Sequence, residues 1–370
     1  MNELLGHIVL PDRVMPGRLL FGRYIEAIEP KNEVPDFIIL PGILDWHVHG
    51  GGGGDVMDGE SGIRALAATH ARFGLTGFLA TTVTADDDEI DQVIDSVRKV
   101  MATPDPNSAQ CFGIHLEGPF LSKAKLGAQP SKTREVAKAS LERWFKSGLV
   151  RVMSYAPEQD ISEIVPEIAK NNGVKIQIGH TGCAYHRARN LLSLGCGVTH
   201  LFNAMSGIHH RAASVALAAL NYADYSEIIC DGVHVEEPAF QLARKSIPSL
   251  YSVTDGTAAS GMPDGVYHLG GQKVIKANNS VRLQDGTLAG SAATAEQTVQ
   301  TLRSYGLKWP EIAEFTAMRP ARWLDLKPLG IYPGHLANFT VFKDLVCHQT
   351  WIEGRLIHSY DAAEKYLNTS

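Results

Sequence analysis

Residues Phe37–Asp45 read FIILPGILD, and Trp46-His47-Val48-His49 and five glycines, Gly50–Gly54, follow directly. The run is apolar at successive positions rather than at alternate ones. A strand of that composition is buried on both faces, as parallel strands are when helices cover them. Similar runs recur about every 30 residues along the chain. They are Thr76–Thr82, Cys111–Leu116, Val150–Tyr155, Val174–Ile178, Gly197–Leu201, Glu227–Asp231 and Leu250–Thr254. Amphipathic segments separate them, among them Ile63–Phe73, Glu89–Met101, Ile161–Asn171, Ala188–Leu194 and Glu237–Ser246. Strands alternating with helices in this way predict an α/β protein, either a closed (β/α)₈ barrel of the TIM type or a large doubly wound sheet. No glycine-rich phosphate fingerprint follows the first run, which counts against the dinucleotide-binding alternative.

The two ends break the rhythm. Residues 1–40 and 331–359 alternate apolar and polar positions and are punctuated by glycine and proline, the pattern of short antiparallel strands. The simplest arrangement joins both termini (1–40 and 331–370) in one small β-sandwich domain beside a barrel spanning 41–330. A chain of 370 residues has room for both, since such a barrel takes about 250. Apolar residues make up 44% and charged residues 20%, enough to bury a large core and too apolar for a disordered chain. A net charge of −6 leaves no electrostatic footprint for nucleic acid, although a local pocket can still attract an anion. No apolar run is long enough to span a bilayer. The five cysteines are widely spaced with no CxxC pair, which favours a reducing compartment over a disulfide framework, and hence the cytoplasm.

In a barrel of this kind the chemistry gathers at the carboxyl ends of the strands. The polar residues there are His47 and His49, His115 and Glu117, His180, His200, His234 and Asp255. A lone histidine at a strand end is more often hydrogen-bonded packing than a ligand. Six strand ends all delivering His, Glu or Asp is a convergence that packing does not explain. His47 and His49 are two apart on a strand and so face the same way, a pairing that suits a transition metal. Glu117, His180 and His200 are the carboxylate-and-imidazole set of hydrolytic zinc sites. Asp255 is the candidate acid–base group, with metal ligation or helix capping as its alternatives. The glycine run is either a flexible loop or one that approaches a ligand closely, and His209-His210-Arg211 is either a solvated turn or an anion contact.

Taken together these residues resemble the N-acetylglucosamine-6-phosphate deacetylase branch of the amidohydrolase superfamily. The matching stretches run nearly end to end: PGILDWHVHGGGGGDVMD (41–58), GIHLEGPFLSKAKLGAQP (113–130), IGHTGCAY (178–185), THLFNAMSGIHHR (199–211), DGVHV (231–235), VTDG (253–256), DGTLAGSAAT (285–294) and GIYPGHLANFTVFKD (330–344). The resemblance implies metal ligation by Glu117, His180 and His200, and an acid–base role for Asp255. It implies sugar-phosphate contacts at Asn203, Ala204, Arg211, Asp231, Gly232, Val233 and His234, and further substrate contacts at Ala128, Gln129, Leu288, Ala289 and Gly290. In such proteins the position of Arg211 serves the neighbouring subunit's site, which implies a homodimer.

Three departures bear on mechanism. Some members replace the first-strand histidines by amides and hold one metal, whereas this chain keeps His47 and His49. Some have a carbonyl-polarising histidine where this chain has Gln129. The two changes compensate if a second metal, held by His47, His49 and Asp255, polarises the carbonyl. The family's Arg-Glu-Pro-Gly is here Arg211-Ala212-Ala213-Ser214, which affects the phosphate contact. The expectation is therefore metal-dependent hydrolysis of the acetamide of N-acetylglucosamine 6-phosphate, with one or two divalent ions per chain. Zinc leads, and iron, cobalt and manganese are accepted by the same ligands. The alternatives are deacetylation of the galactosamine isomer, another amidohydrolase activity, and a non-catalytic sugar-phosphate binder. A carbamylated lysine ending strand four is common elsewhere in the superfamily, but strand four here ends Ser154-Tyr155-Ala156-Pro157.

Overall fold

The computed structural model describes residues 1–327 and 330–360, so the last ten residues of the C-terminal piece, and 328–329 within the barrel span, lie outside it. Its centre is an eight-stranded sheet in which every neighbouring pair is parallel. The strands are β1 (Ile43–Val48), β2 (Leu75–Thr81), β3 (Gln110–Glu117), β4 (Val150–Tyr155), β5 (Lys175–Ile178), β6 (Gly197–Val198), β7 (Tyr225–Ile229) and β8 (Ser249–Val253). Their spatial order is their chain order. The ring closes between β8 and β1 at the carboxyl end. There Asp255 N donates to His47 O at 2.9 Å and His49 N to Gly256 O at 2.7 Å. Asp45 on β1 accepts from the hydroxyl of Thr254 across the same seam. Helices α1 (Glu60–Ala71), α2 (Asp87–Ala102), α3 (Lys138–Lys146), α4 (Val165–Asn171), α5 (Tyr185–Ser193), α6 (Val215–Tyr222), α7 (Glu237–Ser246) and α8 (Ala295–Ser304) alternate with the strands. Their buried faces, such as Ile90, Val93, Val97 and Val100 of α2, form one continuous core with the strands.

One expectation is corrected at the opening run. FIILPGILD is not a single strand. Ile38–Pro41 pairs antiparallel with Phe339–Lys343 and parallel with Asn2–Val9, outside the barrel, and only Ile43–Val48 is β1. Both halves are apolar on both faces, so composition does not separate them. The break falls at Gly42, where a Cβ would stand 2.4 Å from Thr76 Oγ1.

The two termini build one seven-stranded mixed sheet. Its order is Arg355–Ser359, Val346–Ile352, Phe339–Lys343, Ile38–Pro41, Asn2–Val9, Val14–Phe21 and Ile25–Pro30. The sheet coils so that its strands face each other across a small core. Phe21 meets Phe339 and Trp351 edge-on at 5.0 and 4.9 Å although two strands intervene between Val14–Phe21 and Phe339–Lys343. A second four-stranded sheet, Gly265–Leu269, Gln272–Ala277, Ser280–Arg282 and Leu288–Ser291, is inserted between β8 and α8, and sequence reading did not anticipate it. Its signal was present. VYHL and KVIKA carry the β-branched and aromatic residues of strands, and Gly270-Gly271 and Asn278-Asn279 supply the two turns.

Candidate metal centre and active site

The candidate side chains leave the carboxyl ends of five barrel strands. Glu117 is the last residue of β3, His47 is the penultimate residue of β1 with His49 one residue past its end, and His180, His200 and Asp255 follow β5, β6 and β8 by two residues. His180, His200 and Asp255 hold φ values of 46°, 25° and 51°, left-handed conformations that non-glycine residues adopt at a cost and that concentrate at functional sites. The turn at each strand end therefore aims its side chain inward instead of continuing the pleat.

The result is one cluster. Glu117 Oε1 lies 3.2 Å from His180 Nε2 and 3.1 Å from His200 Nε2, and those two nitrogens are 3.0 Å apart. Glu117 Oε2 lies 3.3 Å from His49 Nε2. Asp255 Oδ1 is 3.2 Å from His49 Nε2 and 3.5 Å from His47 Nε2, and the two β1 nitrogens are 3.3 Å apart. Glu117 Oε1 also lies 3.4 Å from His47 Nε2, so this carboxylate bridges the two pairs of imidazoles. All of these residues are buried.

The outer nitrogens decide what the inner ones can be. His49 Nδ1 faces Thr81 O at 3.2 Å, His180 Nδ1 faces Lys125 O at 2.9 Å, and His47 Nδ1 faces Glu227 Oε2 at 2.9 Å. A carbonyl or carboxylate oxygen only accepts, so each Nδ1 donates and each neutral ring turns an Nε2 lone pair inward. His200 Nδ1 has no partner among the described residues. Acceptors facing acceptors at 3.0–3.5 Å are favourable only around positive charge. A tetrahedral ion with ligands at 2.0–2.1 Å spaces its ligand atoms about 3.3 Å apart, which matches this cluster. His47–His49–Asp255 and His47–Glu117–His200 are each compact enough to hold an ion.

The same field appears in the titration of the groups. Burial would lower the pKa of His49, but Asp255 and Glu117 outweigh it and raise it to about 9. His47 is likewise raised, against burial, by Glu117, Glu227 and Asp255. Burial would raise the Asp255 carboxyl, and the imidazoles instead hold it at about 2. The pocket attracts positive charge, for which protons and a divalent cation compete.

Above the cluster opens a cavity of about 240 Å³ lined by Glu117, His49, His180, His200, Asp255 and His234, and further out by Ala128, Gln129, Asn203, Ala204, Leu288 and Gly290. Gly127, Leu269 and Thr287 also line it and were missed. Leu269, Thr287 and Leu288 come from the inserted sheet region, whose position no local signal reveals. Gln129 is held at both ends, accepting from Thr84 N at 2.7 Å and donating to Glu117. Asp231 does not line the cavity but orients His234 through Nδ1 at 2.7 Å. Burial opposes this pair's ionisation, yet contact lowers the Asp231 pKa and raises that of His234. Gly232, Val233 and Ala289 do not line the cavity, and Ala289 is buried in a cluster with Val83 and Leu269. Arg211 is exposed, with Nη1 2.7 Å from His210 Nε2, and does not line the cavity.

The glycine run has a packing role. Gly50–Gly51 pairs with Gly54–Asp55, and a Cβ on Gly50 would stand 2.5 Å from Gly54 O and 2.6 Å from Ala258 N. None of Gly50–Gly54 lines the cavity.

Residues 38–357 match the family model described as "Amidohydrolase family". Among curated proteins, the chain is 34% identical over 320 residues to the N-acetylglucosamine-6-phosphate deacetylase of Bacillus subtilis, covering 84% of this chain and 79% of that protein. It is 32% identical to the N-acetylgalactosamine-6-phosphate deacetylase of Escherichia coli O157:H7, covering 90% and 92%. Among solved structures, a variant of the Mycobacterium smegmatis N-acetyl-D-glucosamine-6-phosphate deacetylase in complex with N-acetyl-D-glucosamine-6-phosphate superposes with a TM-score of 0.89 at 29% identity, over 96% of this chain and 99% of that one.

Proposed function

The chain belongs to the amidohydrolase family, and from that premise we propose that it hydrolyses the acetamide of N-acetylglucosamine 6-phosphate to glucosamine 6-phosphate and acetate. One observation carries the reading: Glu117, His180, His200, His47, His49 and Asp255 converge beneath a single cavity in a chain whose relatives are amino-sugar-phosphate deacetylases.

Glu117, His180 and His200 would hold one divalent ion, and His47, His49 and Asp255 would hold a second. Such an ion supplies Lewis acidity toward the attacking water and the amide carbonyl. Zinc suits the imidazole and carboxylate set, which iron, cobalt and manganese also accept. Asp255 removes the proton of the water as its oxygen attacks the amide carbon. It delivers that proton to the nitrogen as the C–N bond breaks, so acetate and the free amine leave. The imidazolium form of His234, favoured by Asp231 at Nδ1, donates from Nε2 to a substrate oxygen. Gln129, its amide engaged by Thr84 and Glu117, holds the ligand carboxylate in place.

No lysine or arginine is among the described residues lining the cavity, so the 6-phosphate needs a cation from elsewhere. Arg211 of a second copy meets that need in a homodimer. The five cysteines are free, which fits a cytoplasmic enzyme, and no described helix is long and apolar enough to cross a membrane.

Acetate release tests the reading. The expected order is N-acetylglucosamine 6-phosphate well above the unphosphorylated sugar. Faster release from the galactosamine isomer would transfer the assignment to the activity of the Escherichia coli relative. Release from none of the three would refute the reading.

A further inference from the structure

Beneath the four imidazoles the barrel interior is polar, and one charged group there has no part in the chemistry above. Glu227, on β7, is fully buried, and no lysine or arginine among the described residues is paired with it. Its Oε2 stands 2.9 Å from His47 Nδ1 and accepts from His200 N at 3.2 Å. Its Oε1 accepts from Tyr251 OH at 3.4 Å. Tyr251 OH in turn accepts from Gln177 Nε2 at 2.8 Å. His47, Glu227, Tyr251 and Gln177 all have 0% exposure.

The proton positions along this chain are determined by its ends. The amide nitrogen of Gln177 only donates, so the Tyr251 hydroxyl accepts there and points its own hydrogen at Glu227. The carboxylate only accepts, so His47 Nδ1 carries a hydrogen and Nε2 presents a lone pair to the cluster above. A buried carboxylate without a cationic side chain is costly unless positive charge lies nearby. Among the described residues, the place for that charge is the cluster beyond His47. His115 completes a compact group with His47 and Glu227, but its Nδ1 is taken by Trp46 O at 2.7 Å, so this group is a hydrogen-bonded support and not a further ion site.

We propose that Glu227 is a positioning residue. It fixes the His47 tautomer and lends negative charge, through the imidazole, to the ion held by His47 and His49. Outer partners of this kind commonly change metal affinity by about 10–100-fold. The inference rests on the two-ion reading above, and its test separates the two.

Zinc is titrated into chelator-stripped protein against a chromophoric competitor, and cobalt(II) spectra report the ligand field. Wild type takes up two ions. Glu227→Gln keeps the ion of Glu117, His180 and His200 within a few-fold and binds the other about 10–100-fold more weakly. In a His47→Asn background the same substitution costs nothing further, which a merely structural role would not produce. Should Glu227→Gln fail to fold, Tyr251→Phe leaves the carboxylate but frees one oxygen, and it weakens the same ion a few-fold. Equal affinity for both ions in wild type and variant, or an equal loss in the His47→Asn background, overturns the assignment of Glu227 alone. Uptake of a single ion by wild type overturns the two-ion reading, and Glu227's role with it.

Discussion

Asp255 sits at φ 51°, two residues past β8, with its backbone N–H bonded to His47 O and its carboxylate against His47 and His49. That backbone geometry aims the carboxylate across the barrel mouth toward the cavity. Asparagine has nearly the same shape but cannot take up a proton. Asp255→Asn is therefore expected to reduce kcat about 10²–10⁴-fold, while metal analysis still finds the ion of Glu117, His180 and His200. Wild-type turnover in that variant would refute the acid–base role. At this scale the sequence was informative wherever a polar residue ended an apolar run. It was silent on Glu227, which opens the run EIIC and reads as the edge of a strand; its partner His47 is 180 residues away.

Among the elements, the hairpin at Gly50–Gly54 and helix α1 depend on each other. His70, in the last turn of α1, is fully buried with Nε2 3.0 Å from Gly50 O, and burial lowers its pKa to about 4. An unfolded histidine titrates near 6.5. The folded group stays neutral where the unfolded one has begun to bind a proton. Its contribution is therefore complete above pH 6.5 and is lost as pH falls from there to about 4. The loss is on the order of 3 kcal/mol. Denaturant unfolding of His70→Gln should give a flatter dependence over that window than wild type, and a slope equal to wild type's would dismiss the idea. The inserted sheet raises a different point. Its turns were readable, but that its strands bring Leu269 and Leu288 to the cavity follows from packing.

On the scale of the whole molecule, the exposed Arg211 and a cavity without lysine or arginine among its described lining belong together. If each copy supplies Arg211 to the other, then Arg211→Ala and Asp255→Asn chains are each inactive alone. Mixed dimers then contain one site with an intact Asp255 and an intact arginine. Coexpressing the two variants should restore roughly a quarter of wild-type sites, by the statistics of a two-fold assembly. No recovery, measured as acetate release, would count against donation in trans. Helix α7 (Glu237–Ser246) was read to the residue, because its apolar stripe repeats at 3.6. The run Phe37–Asp45 was misread as one strand, because its two halves satisfy the same composition and differ only in which sheet receives them.

By itself, then, the order of residues determined the alternation of strands and helices and the chemical identity of the groups at the strand ends, since periodicity and side-chain chemistry are local properties. Which imidazole nitrogen faces inward, which carboxylate supports which ring, and which loops wall the cavity were decided by tertiary structure alone. Those features are distances between residues far apart along the chain, and they exist only once the barrel has closed.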